Sequence, residues 1–266
     1  MSTLLNQTQT VGYGVAGAPL GTAGIPVLLF HGTTMSRTAW DLVIAAMPAE
    51  RTYIQVEFPG SGESSMPQGP LSVEGLVSDA LAVLDALEIR RCHVAGYSLG
   101  AVIAAATSAL APERIASSTL LCGWAVSDAR MRLTFDLWKR LIDIGPEMFM
   151  RYALVDGFTA GGLAAIEPMV EQIITMSAAA VSPGSQHHLD LDLIVDISGL
   201  LPRIKAPTQV ISGAQDRWVD PTHGQVLADG IAGASFTTLP AGHLVIQELA
   251  SDVAVLLHSH ITSHDI

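Results

Sequence analysis

Charge is scarce in this chain: 14% of its residues are Asp, Glu, Lys or Arg, against 49% that are hydrophobic. That balance excludes a disordered, charge-solvated polypeptide and requires a large buried core. The charge present is mostly of one sign, and the net value is −12. A chain this acidic, with no basic cluster, repels phosphate backbones, so no nucleic-acid partner is expected. Cysteine is limited to Cys92 and Cys122. Both sit in apolar runs, where small buried free thiols are expected and a disulfide framework is not. No uncharged apolar run reaches the roughly 18 residues that span a bilayer. Met1 to Thr10 lacks the basic start and apolar stretch of a signal peptide. A cytoplasmic protein without a membrane partner is the expectation.

What the chain has is alternation. Continuous apolar or β-rich runs at Ile25–Phe30, Thr52–Phe58, Cys92–Ala95, Ser117–Leu121, Thr208–Ser212 and Ser235–Leu239 read as strands, several of them buried on both faces. Between them lie helical patterns at Ser72–Leu87, Leu99–Leu110, Thr222–Asp229 and His243–His258. Such alternation predicts an α/β fold with a mostly parallel sheet, helices on both faces, and ligands bound outside the carboxyl ends of the strands. One α/β unit accommodates 266 residues. The exception is the stretch 124–200, which carries helical patterns and no clear strand. It divides the chain into a core, 1–123 and 201–266, and a helical insertion, 124–200.

Ser98 stands in Gly96-Tyr97-Ser98-Leu99-Gly100, directly after the Cys92–Ala95 run and directly before the Leu99–Leu110 helix. A serine on a tight strand-to-helix turn projects its hydroxyl into a pocket, and flanking glycines let the backbone pass without Cβ clashes. Three further features follow strand candidates: His31-Gly32-Thr33-Thr34, Asp216 in Gly213-Ala214-Gln215-Asp216, and His243 in Ala241-Gly242-His243-Leu244. The order along the chain is Ser, Asp, His. At this point the sequence resembles the α/β-hydrolase superfamily, from roughly Pro26 to Leu257 and least between Trp124 and Leu200. Glu57-Phe58-Pro59-Gly60-Ser61-Gly62-Glu63-Ser64 is similar to the family's turn after its fourth strand, which more often begins with Asp. That departure is expected to be harmless.

The resemblance implies a nucleophile, Ser98, whose proton is taken by His243, with Asp216 fixing the imidazole tautomer. Asp220 is the rival carboxylate, but it precedes Pro221 and suits a helix cap. The resemblance further implies an oxyanion hole from the backbone N–H groups of Thr33 and Leu99, with His31 bracing the loop from behind. No metal or cofactor is required. His258, His260 and His264, and the pair His187-His188, are expected to be solvent-exposed rather than ligating. The formal G-x-G-x-x-G at Gly12–Gly17 follows no strand, precedes Pro19, and belongs instead to an edge hairpin within Val11–Gly24.

A nucleophilic serine, rather than aspartate, argues against haloalkane dehalogenase and epoxide hydrolase chemistry. The function expected by resemblance is hydrolysis of a small-to-medium, largely apolar carboxylic ester or lactone through an acyl-serine. The alternatives are a C–C bond hydrolase or thioesterase on the same triad, or a ligand-binding scaffold with slow residual hydrolysis. The insertion, by the same resemblance, is a helical cap. It holds much of the Met and aromatic content, with Trp124, Phe135 and Trp138 the residues expected at the substrate pocket and Trp124 the nearest. Arg130, Arg132, Lys139, Arg140 and Arg151 also fall there. One of them is a candidate partner for a substrate carboxylate, although solvated helix faces account for such charges more often.

Overall fold

The computed structural model describes residues 2–6, 9–22 and 24–265. Eight strands form one sheet: β1 (Ser2–Asn6), β2 (Gln9–Gly17), β3 (Val27–Phe30), β4 (Thr52–Val56), β5 (Cys92–Tyr97), β6 (Ile115–Leu121), β7 (Thr208–Gly213) and β8 (Ser235–Leu239). Their order across the sheet is β1-β2-β4-β3-β5-β6-β7-β8. β2 runs antiparallel to both β1 and β4, and every other neighbouring pair is parallel. β3, β4, β5, β6 and β7 are buried along their whole length, as strands of a sheet covered on both faces.

Helices α1 (Asp41–Ala46), α2 (Val73–Ala86), α3 (Leu99–Leu110), α9 (Pro221–Gly230), α10 (Val245–Glu248) and α11 (Ala250–Thr262) belong to the α/β alternation. Between β6 and β7 come five more: α4 (Ala129–Ile144), α5 (Pro146–Gly157), α6 (Ala160–Ile166), α7 (Val170–Ala179) and α8 (Ser185–Asp192). α3 is sunk in the core, where Ala101, Ala104, Ala105, Ala106 and Ala109 bring its backbone close to β5 and β6. From β3 the chain moves outward to β4, then returns to place β5 on the other side of β3. Loops leaving such a reversal diverge and open a crevice, and the loops after β3 and β5 are those of Thr33 and Ser98.

The hairpin lies earlier than expected: β1 pairs with β2, where the polar start of the chain suggested no strand. The three glycines of the rejected dinucleotide pattern sit in β2 for reasons of space. A Cβ on Gly12 would meet the Glu57 carboxylate at 2.6 Å, and one on Gly14 would meet Arg37 at 2.9 Å. The expected helix from His243 to His258 divides at Leu249 into α10 and α11, and His243 lies in the turn before it. The C-terminal segment is tied down: the Asp265 carboxylate accepts from Arg51, the Ile25 N–H and buried His93.

Candidate active site

Ser98 stands in the turn between β5 and α3 with φ +58° and ψ −123°, a strained conformation that lifts its side chain off the sheet. Both flanking glycines are forced by close approach. A Cβ on Gly96 would lie 1.9 Å from the Gly100 carbonyl oxygen, and one on Gly100 would lie 2.3 Å from that of Phe30. Leu99 opens α3 directly behind Ser98, so its N–H belongs to the helix's first turn, which has no intrahelical acceptor.

The three residues brought forward by sequence converge. His243 Nε2 lies 3.0 Å from Ser98 Oγ, and His243 Nδ1 lies 2.7 Å from Asp216 Oδ2. An ionised carboxylate can only accept, so Nδ1 carries the proton and Nε2 faces the serine hydroxyl as an acceptor. Asp216 Oδ1 is held by the N–H groups of Trp218 and Val219, both at 2.9 Å. The Tyr97 hydroxyl donates to the His243 carbonyl at 3.0 Å, and the Trp218 ring lies 4.9 Å from the imidazole. Asp220 caps α9 by accepting from Thr222 N–H, which removes it as a rival.

Among the described residues, Cys122, Asp216 and His243 bring three donor atoms within 4.8 Å of one another, the spacing of a metal site. The Asp216–His243 hydrogen bond and the Cys122 thiol lying against the Asp216 carboxylate account for that proximity. Burial and the Asp216 carboxylate push the Cys122 thiol well up, which keeps it a thiol beside the carboxylate. Both cysteines are buried and free, as expected.

His31 braces the loop after β3 in the manner expected. Its Nδ1 faces the Gly32 carbonyl at 2.8 Å, and its Nε2 accepts from Phe58 N–H at 3.1 Å. Burial pulls its pKa down to about 3, so the ring is neutral. His188, expected at the surface, is instead fully buried, with Nε2 2.9 Å from the Pro59 carbonyl. His258, His260 and His264 are half-buried rather than exposed, and His260 faces the Pro207 carbonyl.

Over Ser98 lies a cavity of about 460 Å³. The core contributes Thr33, Met35, Leu42, Trp218 and His243, and the inserted segment contributes Trp138, Phe149, Met150, Leu154 and Phe158. Trp124 and Phe135, expected at the pocket, do not line it. Trp124 is fully buried, donates to Ser127 Oγ at 2.9 Å, and stacks behind Phe135, whose ring in turn lies behind Trp138. Trp124 is enclosed behind Phe135, and Trp138, on the other side of Phe135, reaches the cavity instead. Trp218 was missed although it lies two residues beyond Asp216. Its only signal in the sequence is that position.

No Asp, Glu, Lys or Arg side chain lines the cavity among the described residues. The five basic residues of the insertion are engaged elsewhere. Arg130 and Arg132 reach the carbonyls of Arg217 and Ser127, Lys139 pairs with Asp190, Arg140 with Asp136, and Arg151 with Glu171. The candidate carboxylate partner is therefore not found among them.

The sequence profile of the alpha/beta hydrolase family matches residues 27–255. The chain belongs to the alpha/beta hydrolase family. A protein of Azorhizobium caulinodans named "Putative carbamate hydrolase RutD" is 30% identical over 87% of this chain and 88% of its own. Pyrrolizixenacetamide deacetylase of Xenorhabdus hominickii is 28% identical over 91% of this chain and 93% of its own. The crystal structure of a hydrolase from Pseudomonas aeruginosa PA01 superposes with a TM-score of 0.84 at 29% identity, covering 98% of this chain and 97% of that one. These relatives support a hydrolase. No helix among the described residues is long and apolar enough to cross a membrane.

Proposed function

We propose that this protein is a serine hydrolase that cleaves an uncharged, largely apolar carboxylic ester or lactone through an acyl-serine. The observation that carries the reading is the unbroken hydrogen-bonded line from Asp216 through His243 to Ser98 at the floor of the cavity. Ser98 Oγ attacks the carbonyl carbon while His243 Nε2 takes its proton. The oxyanion that forms is held by the N–H groups of Thr33 and Leu99, with the positive end of α3 adding to the attraction. His243 then returns the proton to the leaving oxygen, and water, activated by the same imidazole, releases the acid. α4 to α8 act as a cap whose Trp, Phe and Met side chains choose among substrates.

The uncharged lining supports a neutral substrate: a carboxylate or ammonium brought into this cavity would lose its hydration with no ion to replace it. A second reading, hydrolysis of a neutral carbamate or acetamide, is favoured by the names of the two relatives above. Mass-spectrometric labelling of Ser98 by a fluorophosphonate, followed by turnover of paired neutral and carboxylate-bearing esters, lactones, carbamates and acetamides, tests both readings. Labelling with preference for neutral esters or lactones is expected. Preference for carbamates or acetamides selects the second reading, and absence of both labelling and turnover overturns hydrolysis in favour of a binding scaffold.

A further inference from the structure

The loop that follows β3 is strained and lies against the nucleophile. Thr34 has φ +67°, a left-handed conformation rarely adopted by a β-branched residue, and a Cβ on Gly32 would sit 3.2 Å from that of Ser98. Such a conformation persists only where its surroundings over-determine it. Here two of the restraints come from the inserted segment. Ser182 N–H donates to the Thr34 carbonyl at 3.0 Å, and the Thr33 hydroxyl donates to Asp192 Oδ2 at 2.6 Å.

Asp192 is an unusual residue to find there. It is fully buried at the end of α8, Thr33 is the side chain bonded to its carboxyl group, and its other oxygen, Oδ1, has no partner. A leucine would fill the same space without the penalty of a buried acid, so packing alone does not explain the carboxyl group. His188 stands one turn earlier on α8, and its ring lies 6.3 Å from that of His31 in the core. Burial holds them at about 4 and about 3, so both are neutral. Burial likewise pushes the Asp192 carboxyl up to about 8, in keeping with an acid that has no cation to balance it. Its backbone is fixed independently: the Asp192 carbonyl accepts from Ser127 Oγ at 2.5 Å, and that oxygen is itself held by Trp124 Nε1–H.

We propose that Asp192 is a positioning residue for the oxyanion hole, reaching from α8 to hold the Thr33 hydroxyl so that the Thr33 backbone N–H stays aimed at the acyl group on Ser98. The proposal rests on the assignment of Thr33 N–H to the oxyanion hole made above. It gives the inserted helices a part in the chemical step, because the donor is set by a bond that crosses from insertion to core. The anchor behind that bond also supplies the role of Trp124, far from the cavity it was expected to line.

The test compares Asp192→Ala, Asp192→Asn, Thr33→Val and the double variant Asp192→Ala/Thr33→Val. Two readouts are used: hydrogen–deuterium exchange of the segment 31–36, and kcat and KM for 4-nitrophenyl butyrate. Asn keeps the shape and an accepting oxygen, and Val keeps the volume of Thr while removing its hydroxyl. The expected result is faster exchange in D192A and T33V, with kcat lowered about tenfold or more and KM within about twofold. D192N restores both to within about threefold of wild type, and the double variant is no worse than the poorer single one. Unchanged exchange in T33V and D192A, a D192N as damaged as D192A, additive losses, or an effect confined to KM would each overturn the proposal. Exchange needs no turnover. A wild type that hydrolyses nothing therefore defeats the hydrolase reading, while exchange in T33V and D192N still decides whether the bond orders the loop, even if D192A does not fold.

Discussion

The core and the inserted helices are built on different principles. In the core the candidate catalytic residues are fixed by their own neighbours. Asp216 is held by the N–H groups of the two residues that follow Arg217, and His243 by Tyr97, the residue before the nucleophile. The inserted helices are amphipathic rather than sunken, and leave Leu133, Ile144, Val155 and Met176 largely exposed. They meet the core through polar clips as well as apolar surface. Besides Asp192 on Thr33, the Leu244 N–H donates to the Gly157 carbonyl at the end of α5. Glu248 accepts from both Thr159 N–H and Gly242 N–H. The first of these clips thus lies on the loop after β3, against Ser98, and the other two lie beside the loop of His243. The inserted segment therefore joins the core in two ways, by a buried face that includes Met131, Phe135, Trp138, Phe149 and Leu189 and by polar bonds to the loops beneath it.

The comparison breaks most sharply at Ser98. If the chemistry belongs to the core, Ser98→Ala should lower kcat by about 10⁴-fold or more while thermal unfolding stays near that of wild type, because the triad acts as a unit. Near-normal turnover by the folded variant would remove the core's claim. Next in size comes the core's buried ion pair. Glu57 is buried, accepts from Arg37 at 2.9 Å and takes the Glu63 N–H at its other oxygen. Glu57→Ala leaves Arg37 without its partner and should cost about 3–5 kcal/mol, read from denaturant unfolding. A loss below about 1 kcal/mol would mean that this turn is as loosely held as a surface helix.

How much of this was legible in the sequence follows the same division. The core strands announce themselves as short apolar or β-rich runs, in which polar residues such as Gln55, His93 and Gln209 are buried with hydrogen-bond partners, and α3 begins and ends where its pattern does. The triad was readable because each member follows its strand. Glu57 stands where the family's turn more often begins with aspartate. The structure shows why it is accommodated: Gly12 and Gly62 leave room for the longer side chain, since a Cβ on Gly62 would overlap the carboxylate at 1.9 Å. The insertion was legible as helix but not as contact, because amphipathic periodicity fixes which face is apolar and not which neighbour it meets. His188 and Asp192 look like surface residues in His187-His188-Leu189-Asp190-Leu191-Asp192. Their burial depends on how α8 is packed, a tertiary property that a local pattern does not contain.

Burial makes pH act on the fold in two opposite directions. His31 and His93 in the core, and His188 on α8, are held below the usual imidazole value, at about 3, 4 and 4, chiefly by burial. The unfolded chain therefore binds protons more readily than the folded one below about pH 6.5. Stability is full above that value and is lost as pH falls toward 4. Asp192 works in the opposite direction. Its carboxyl is raised to about 8, so its contribution is full below the unfolded value near 4 and is lost as pH climbs toward 8. Asn does not titrate. The Tm of Asp192→Asn relative to wild type should therefore rise steadily from pH 5 to pH 8, with the acid limb unaffected. A difference that is flat with pH would mean that Asp192 is ionised in the folded protein, and that the insertion adds no alkaline sensitivity of its own.

The smallest effect is expected at the cavity wall, and it separates two tryptophans that the sequence treats alike. Trp138 lines the cavity, 4.5 Å from the Trp218 ring, whereas Trp124 lies two rings behind it and is bonded to Ser127. A wall residue discriminates by the area it offers each substrate, so Trp138→Leu should reorder a series of neutral esters of increasing acyl length by about tenfold in kcat/KM. Labelling of Ser98 by a small fluorophosphonate should change far less, since that probe fills little of the cavity. Trp124→Phe keeps the stack and loses only the bond to Ser127. It should leave the substrate ranking intact and act instead on the segment that Ser127 and Asp192 hold in place. The reverse pattern, with ranking altered by Trp124→Phe and untouched by Trp138→Leu, would move the specificity wall back to the exit of β6 and leave the cavity described here without a role in choosing substrates.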